Sequence, residues 1–363
     1  MTGPAIDPAL ADLRDRIRAA AAARRSLCIR GGGTKDFYGQ PPVGELLDMR
    51  GYCGIVSYEP TELVITARCG TRLAEVEVAL AERGQMLAFE PPAFGGPATI
   101  GGVVAAGLSG PRRASAGAVR DFVLGATLLD AAGRPLNFGG QVMKNVAGYD
   151  VSRLACGSLG ILGPIVEVSL KVLPIPTSGC TLAMRIDARE ALQAMNEWSG
   201  QPLPISATSW HGGDLLLRLS GAAAAVDAAA LRFEREHAAT RLSAARSSAH
   251  WAGILDHGDP FFDGPLPLWR LSLPSTAPAI GLAGDQLIEW GGAQRWLRSV
   301  ADPGTIRAAA AGVGGTATLF RGGDRAAGVF HPLPPVNAQL QRRLKDVFDP
   351  GRLFNPGRMY PDL

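Results

Sequence analysis

The sequence predicts an α+β fold, and three observations lead there. Apolar runs of strand length alternate with helix-length amphipathic segments, and Gly, Pro, Asn or Asp separates them. Glycine, 46 of 363 residues, gathers at 31–33, 95–96, 101–102, 107–110, 139–140 and 157–163, mostly between apolar runs. The texture changes at Pro174 and Pro176, after which antiparallel-looking strands and helices follow in another rhythm. Residues 1–175 therefore read as one domain and 176–335 as a second, smaller one. Residues 336–363 read as a helix and tail returning to the first.

Residues 8–25 read as an amphipathic helix, since acids come early and no apolar signal-peptide core is present. Leu27 to Ile29 makes a strand, and 45–49 a second short one. Residues 55–70 form two strands joined at Glu59-Pro60-Thr61. Thr71 is placed to cap a helix whose Leu73, Val76, Ala79 and Leu80 share a face, with Gly84 just past its end. Residues 85–89 read as a strand before Glu90-Pro91-Pro92, and 99–110 as a helix start made of small residues. Residues 121–138 form a hairpin in which Gly133 is free to take φ > 0. Residues 149–174 read as a short helix, a glycine turn and a strong strand from Ile165 to Leu173.

Beyond Pro176, strands are expected at 180–186, 205–210 and 214–220, with helices at 188–198 and 221–237. Residues 240–266 read as irregular. A strand at 268–274, a hairpin at 285–299 around Gly291-Gly292, a helix at 303–311 and a strand at 316–320 follow. The last helix, near 336–348, is expected to bury Leu340, Leu344, Val347 and Phe348 before Pro350 stops it.

Composition narrows the function. A net charge of +3 without a basic stripe argues against nucleic acid or an anionic membrane as partner. Five cysteines (Cys28, Cys53, Cys69, Cys156, Cys180) contain no CxxC pair, which fits a reducing, cytoplasmic setting and no zinc or iron–sulfur site. The best membrane candidate, 154–173, is broken by Gly157, Gly160, Gly163, Pro164 and Glu167, so no direct span is expected.

The stretch "LCIRGGGTKDFYGQ", residues 27–40, carries the chemistry. Glycine removes Cβ and lets backbone N–H groups approach a ligand, and successive N–H groups in a turn form a concave anion site. Gly31, Gly32, Gly33 and Thr34 could build one, with Arg30 and Lys35 as flanking charge. A P-loop needs a different order of residues. A Rossmann fingerprint fails because Asp36 stands at the third glycine place and no helix follows. A pyrophosphate nest outside both folds remains, beside the alternative of a plain glycine turn. Thr99 to Gly102 offers a hydroxyl and N–H groups at a helix start, where negative charge is favoured, and 156–163 permits a third close main-chain approach. A dinucleotide needs several such contacts along its length.

Five segments in order, "IRGGGTKD", "FEPPAFGGPATIGGVVAAGLSGPRR", "RDFVLGATLLDAAGR", "VMKNVAGYDVSRLACGSLGILGPIVEVSLKVLP" and "FDPGRLFNPGRM", resemble the FAD-binding domain of vanillyl-alcohol oxidase / p-cresol methylhydroxylase (PCMH) type flavoproteins. The likeness runs over about 25–175 plus the tail. More narrowly, "FGGQVMKNVAGYDVSRL" and the short chain resemble the FAD-binding accessory (E) subunits of bacterial glycolate oxidase complexes.

The resemblance implies a two-subdomain PCMH-type FAD domain and a reduced α+β cap over the isoalloxazine. It implies that Arg30, Gly31, Gly32, Gly33, Thr34 and Lys35 wrap the pyrophosphate and that Thr99, Ile100, Gly101 and Gly102 form a second wall. Pro92 lies in the same segment, and Ser109 and Gly110 hold its later position, where many relatives have Asn. Lys144, Tyr149 and Asp150 match a stretch near the flavin, Gly157, Ser158 and Gly160 match a "G-S-x-G" turn, and Ile165 or Val166 would meet the adenine or ribose end.

Departures bear on mechanism. Some members tether FAD through His or Cys, but no His occurs before residue 211 and no Cys within 89–102, so noncovalent FAD is expected. Catalytic relatives carry histidine-rich metal and base motifs, whereas His211, His237, His250, His257 and His331 have no His-x-x-His spacing. No metal is expected, and the acid–base residues for a hydroxy acid are not apparent. His257 is the best lone catalytic candidate, read mainly as structural or surface, Trp290 and Trp296 read as core or interface, and Arg112 and Arg113 as partner-facing or solvated, with solvated favoured.

The reading favoured is an FAD-binding subunit of a glycolate oxidase (2-hydroxy-acid dehydrogenase) complex, partnered by a catalytic FAD subunit and an iron–sulfur subunit. It would be cytoplasmic, or peripheral at the inner membrane through that complex. The alternatives are a self-sufficient flavin-dependent oxidase and a scaffold that has lost redox work.

Overall fold

A computed structural model describes residues 7–140 and 150–363. Asp7 caps α1 (Pro8–Ala22), whose Leu13, Ile17 and Ala20 are buried. Strands β1 (Leu27–Arg30) and β2 (Glu45–Asp48) pair in parallel. The main chain of Leu27 also bridges Phe354 of the distant tail, so the tail lies as a third strand at that point. The hairpin β3 (Ile55–Glu59) and β4 (Val64–Arg68) precedes α2 (Leu73–Ala81). Thr71 does not cap α2; its hydroxyl bonds Gly54 and the carbonyl of Arg68, and Arg72 occupies the cap position. The strand expected at 85–89 shortens to β5 (Gln85–Met86).

Helix α3 (Ile100–Ala106) starts at Thr99, whose Oγ1 accepts from Gly102 N, and ends at Gly107, φ +66°. Helix α4 (Arg113–Ala116), strands β6 (Val123–Leu129) and β7 (Pro135–Gly139), helix α5 (Val151–Leu154) and strands β8 (Ile165–Lys171) and β9 (Leu173–Pro174) complete the first half. Its five-stranded sheet runs β3-β4-β8-β6-β7, antiparallel throughout. One face packs on α2 and α3 through Leu73, Val76, Leu80, Ile100, Val103 and Val104, all at most 2% exposed. This apolar burial fixes α3 and hence the second glycine motif against the sheet.

An eight-stranded sheet holds the remaining chain, in the order β13-β10-β12-β11-β15-β16-β14-β17. Its elements in sequence are β10 (Ser178–Arg185), α6 (Ala188–Ser199), β11 (Ile205–His211), β12 (Asp214–Gly221), α7 (Ala223–His237), β13 (Thr240–Arg241), α8 (Ala244–Asp256), β14 (Leu268–Ser272), β15 (Asp285–Glu289), β16 (Gln294–Arg298), α9 (Pro303–Gly312) and β17 (Thr316–Arg321). The expectation of an irregular 240–266 is corrected, because α8 fills half of it. Ser243 caps α8, and only Trp251 and Ile254 are buried along it, too few to mark a helical stripe.

The last helix, α10 (Pro335–Phe348), also departs from expectation. Leu340 and Val347 are 52% and 77% exposed, Leu344 and Phe348 are partly buried, and Lys345 is fully buried. Lys345 donates to Ile161 O, Phe354 O and the Asp349 carboxylate at 2.6–2.8 Å, so its three protons are all used. Satisfying a buried ammonium turns the helix away from the orientation that apolar spacing alone favours.

Candidate functional site

The separate glycine stretches converge. A Cβ on Gly31 would lie 2.1 Å from Thr99 Oγ1, and one on Gly32 would lie 1.8 Å from Pro97 O. A Cβ on Gly101 would meet Cys69 Cβ at 2.7 Å, one on Gly107 would meet Gly157 Cα at 2.8 Å, and one on Gly160 would meet Asn355 Nδ2 at 2.7 Å. Each contact is closer than any side chain permits, so main chain meets its neighbour directly. A cleft opens among them, lined by Gly31, Thr99, Gly101, Gly102, Gly160 and Ile165, with Asn355 beside them.

The mouth of this cleft suits an anion. The backbone N–H groups of Gly31 to Lys35 donate to no described residue. Five successive donors with no acceptor among the described residues are available to an anion. Lys35 is half-buried, touches Thr34 Oγ1 at 3.3 Å and has no carboxylate within 4.0 Å among the described residues. Burial lowers its ammonium to about 8, which the Asp256 carboxylate only partly opposes. A negatively charged ligand beside it would raise that value again.

The tail supplies a wall that the sequence did not reveal as such. Asn355 Oδ1 accepts from Ile29 N at 2.7 Å, and its Nδ2 donates to Leu159 O at 2.6 Å. One amide thereby ties the end of β1, just before the first glycine loop, to the third. Arg358 donates to the carbonyls of Gln40 and Asp36. These ties are 196 or more residues apart in sequence, and no local pattern announces them.

A second, small cavity lies where the two lobes meet. Pro92, Ser109 and Gly110 line one side; His257, Arg270, Glu289 and Gln294 come from the other. Trp290 Nε1 donates to Gly110 O at 3.1 Å, seating the β15–β16 turn on that pair. Glu90 joins the lobes, its carboxylate accepting from Arg112 and from Arg218 at 2.8 Å. Arg112 is therefore an interface residue, and Arg113 lies 4.4 Å over the Trp290 ring; the expectation that both are solvated is corrected. His257 is buried and stacks on Phe262 at 3.8 Å. Desolvation, then Arg321 and Arg270, hold it down at about 2, so it is neutral.

Of the residues singled out in the sequence, Gly31, Thr99, Gly101, Gly102, Gly160 and Ile165 line the first cleft, and Pro92, Ser109 and Gly110 line the second. Gly32, Gly33, Thr34 and Lys35 follow Gly31 in the chain and do not themselves line the first cleft. Arg30 pairs with Asp36 at 2.6 Å. The side chains of Ile100 and Val166 are in the core, and Val166 O accepts from Cys69 N. Asp150 caps α5, Gly157 N bonds Val104 O, and the Ser158 hydroxyl donates to Ala155 O. Lys144 and Tyr149 lie outside the described residues.

A glycine-lined cleft and a two-lobed α+β architecture suit a dinucleotide-binding protein, and likeness to known proteins makes it a flavoprotein of the FAD-dependent oxidoreductase class. Residues 9–139 match the FAD binding domain model, so FAD is the cofactor. The chain is 47% identical to Escherichia coli (strain K12) glycolate oxidase subunit GlcE over 97% of each chain. It is 32% identical to Bacillus subtilis (strain 168) glycolate oxidase subunit GlcD, over 42% of this chain and 33% of that one. Alkyldihydroxyacetonephosphate synthase shares the fold, with a TM-score of 0.67, 14% identity and coverage of 95% of this chain and 75% of that one. The chain belongs to the PCMH-type FAD-binding family that includes the glycolate oxidase subunit GlcE.

Proposed function

We propose that the chain is the FAD-binding subunit of a glycolate oxidase complex, supporting oxidation of glycolate to glyoxylate beside a catalytic FAD subunit and an iron–sulfur subunit. The observation that carries this is the convergence of the glycine stretches on unpaired N–H donors, in a chain aligned end to end with a glycolate oxidase subunit. Bound FAD supplies a two-electron acceptor that can pass electrons onward singly. Residues 1–175 with the 336–363 tail hold it and 176–335 cover it. Gly31 to Lys35 take the pyrophosphate, and Pro92, Ser109 and Gly110 face the ring.

Attachment is noncovalent. His257, the cavity's histidine, is enclosed by Phe262, Phe94, Trp296 and Phe320, while Cys69 in the first cleft has its thiol pushed up by burial and is a poor nucleophile. No cluster of cysteines for an iron–sulfur centre occurs in the sequence, so onward transfer requires a partner. Among the described residues no helix is long and apolar enough to cross a membrane, in keeping with a cytoplasmic protein or one held at the inner membrane through its complex.

Co-purification from the native host, with cofactor analysis of each subunit, tests this reading. The expected result is FAD on this chain, eluting with a second flavoprotein and an iron–sulfur protein. A chain that elutes alone and turns over glycolate with an artificial acceptor overturns it in favour of a self-sufficient oxidase. A chain that elutes in the complex without FAD overturns it in favour of a scaffold.

A further inference from the structure

The cap-side wall of the second cavity is built on three adjacent strands. Register pairs Glu289 with Gln294 and Arg270 with Trp296 across β15, β16 and β14. Gln294 and Trp296 are two apart on one strand, so all four side chains share one face of the sheet. That face looks toward Ser109 and Gly110.

The polar groups there are wired to each other and left open toward the cavity. Gln294 Oε1 accepts from Arg270 Nε at 2.6 Å, and Gln294 Nε2 donates to Glu289 Oε2 at 2.9 Å. Trp296 Nε1 donates to the same Glu289 Oε2 at 2.6 Å. Both donors thus serve one oxygen, and Oε1 receives none from a described residue. Glu289 is 2% exposed and has no cation within 4.0 Å among the described residues.

Arg270, and Arg321 near it, have no carboxylate within 4.0 Å among the described residues. His257 Nδ1, buried in the same wall, has no hydrogen-bond partner among the described residues. Arg270 bonds Gln294 and Tyr38 and lies 5.2 Å over the Trp290 ring, so what it lacks is an anionic partner; with a buried carboxyl acceptor and an imidazole nitrogen without a described partner around the same cavity, the set of interactions is incomplete. A small ligand with a carboxylate and an adjacent oxygen completes it.

We propose that Arg270, Gln294 and Glu289 form a binding site on this chain for a small 2-hydroxy or 2-oxo carboxylate, its carboxylate at Arg270 and its adjacent oxygen at Glu289. The choice of ligand class rests on the function proposed above; the anion site rests on the geometry alone. Arg270 has a planar fork suited to a carboxylate. Gln294 fixes both partners, because its amide oxygen is committed to Arg270 and its amide nitrogen to Glu289. Desolvation raises Glu289 to about 7, against the donors Trp296 and Gln294 and nearby Arg270, with Glu90 adding to the rise. Near neutrality the carboxyl therefore exists in both forms, accepting from a hydroxyl when ionised and donating to an oxo oxygen when protonated. Sequence reading missed this set because its members lie 5 to 24 residues apart, on three strands.

Calorimetric titration of oxalate and glycolate into the full-length protein, FAD-loaded and FAD-free, tests the site. Oxalate is expected to bind one saturable site, and Arg270→Met to weaken it at least ~10-fold at unchanged FAD content, the loss of about 1.4 kcal/mol. Arg270→Lys, which keeps the charge and guards against misfolding, should weaken it less. In Glu289→Gln the amide oxygen faces Gln294 and Trp296 and the NH2 faces the cavity. Glycolate is then expected to lose affinity relative to oxalate. Absence of saturable oxalate binding to wild-type protein, or equal affinity in folded Arg270→Met, would overturn the proposal. Oxalate binding by protein that takes up no FAD would uphold the anion site while refuting the cofactor reading.

Discussion

At the scale of single residues, charge placed where water is scarce marks the sites. Lys35 stands at the end of a run of free N–H groups with no carboxylate in ion-pair range among the described residues. Replacing it by Met removes one charge-assisted contact to the cofactor, worth about 1.5–3 kcal/mol. FAD affinity, read by flavin fluorescence quenching, should fall roughly 10- to 100-fold while the apoprotein's thermal stability changes little.

Glu289 gives a pH signature. Its folded value, about 7, lies above the ordinary 4.5, so the folded state holds a proton that the unfolded chain releases. Stability is fully present below about 4.5 and is lost as pH rises through 7; the gap is equivalent to about 3 kcal/mol. Denaturant unfolding should show Glu289→Gln gaining on wild type between pH 5 and pH 8, with little further change above. A parallel pH profile for both proteins would contradict the buried, uncompensated carboxyl.

At the scale of elements, each glycine loop is held in place by something distant. Thr99 and α3 back the first loop, Gly107 backs Gly157, and the tail ties the ends together through Asn355 and Lys345. Asn355→Ala would leave the Ile29 N–H and Leu159 C=O without their partner, at about 1–3 kcal/mol each. The expected outcome is a thermal midpoint several degrees lower, with FAD affinity reduced. An unchanged midpoint would mean the tail is not a wall of the cleft.

Much of this was legible in the sequence, and what was missed has a physical reason. Glycine clusters can be read locally because φ > 0 and close main-chain approach demand that residue whatever the context. Gly31, Thr99, Gly101, Gly102 and Gly160 accordingly line the cleft. Helix α8 was illegible because it buries little, yet it delivers His257 to one cavity and Asp256 to the main chain of Ala93 and Phe94. In α10 the apolar residues misled, since Lys345 takes the buried place on the strength of three acceptors that no spacing reveals. Asn355, Arg270 and Glu289 act through partners brought near only by the fold.

At the scale of the whole molecule, one antiparallel sheet organises each lobe; the glycine cleft belongs to the first lobe and the tail, and the second cavity takes its walls from both lobes. Glu90, clamped by Arg112 of one lobe and Arg218 of the other, is a buried junction between them. The arrangement accounts for a chain that grips a long cofactor through main chain and covers one end with a polar, desolvated wall. Its central claim is that the converging glycine stretches hold FAD without a covalent bond. Cofactor content of the purified full-length protein, before and after denaturation, measures this directly. The account predicts close to one FAD per chain, all of it released into the supernatant on denaturation. Folded protein that neither contains FAD nor takes it up, or flavin that stays with the denatured chain, would contradict it.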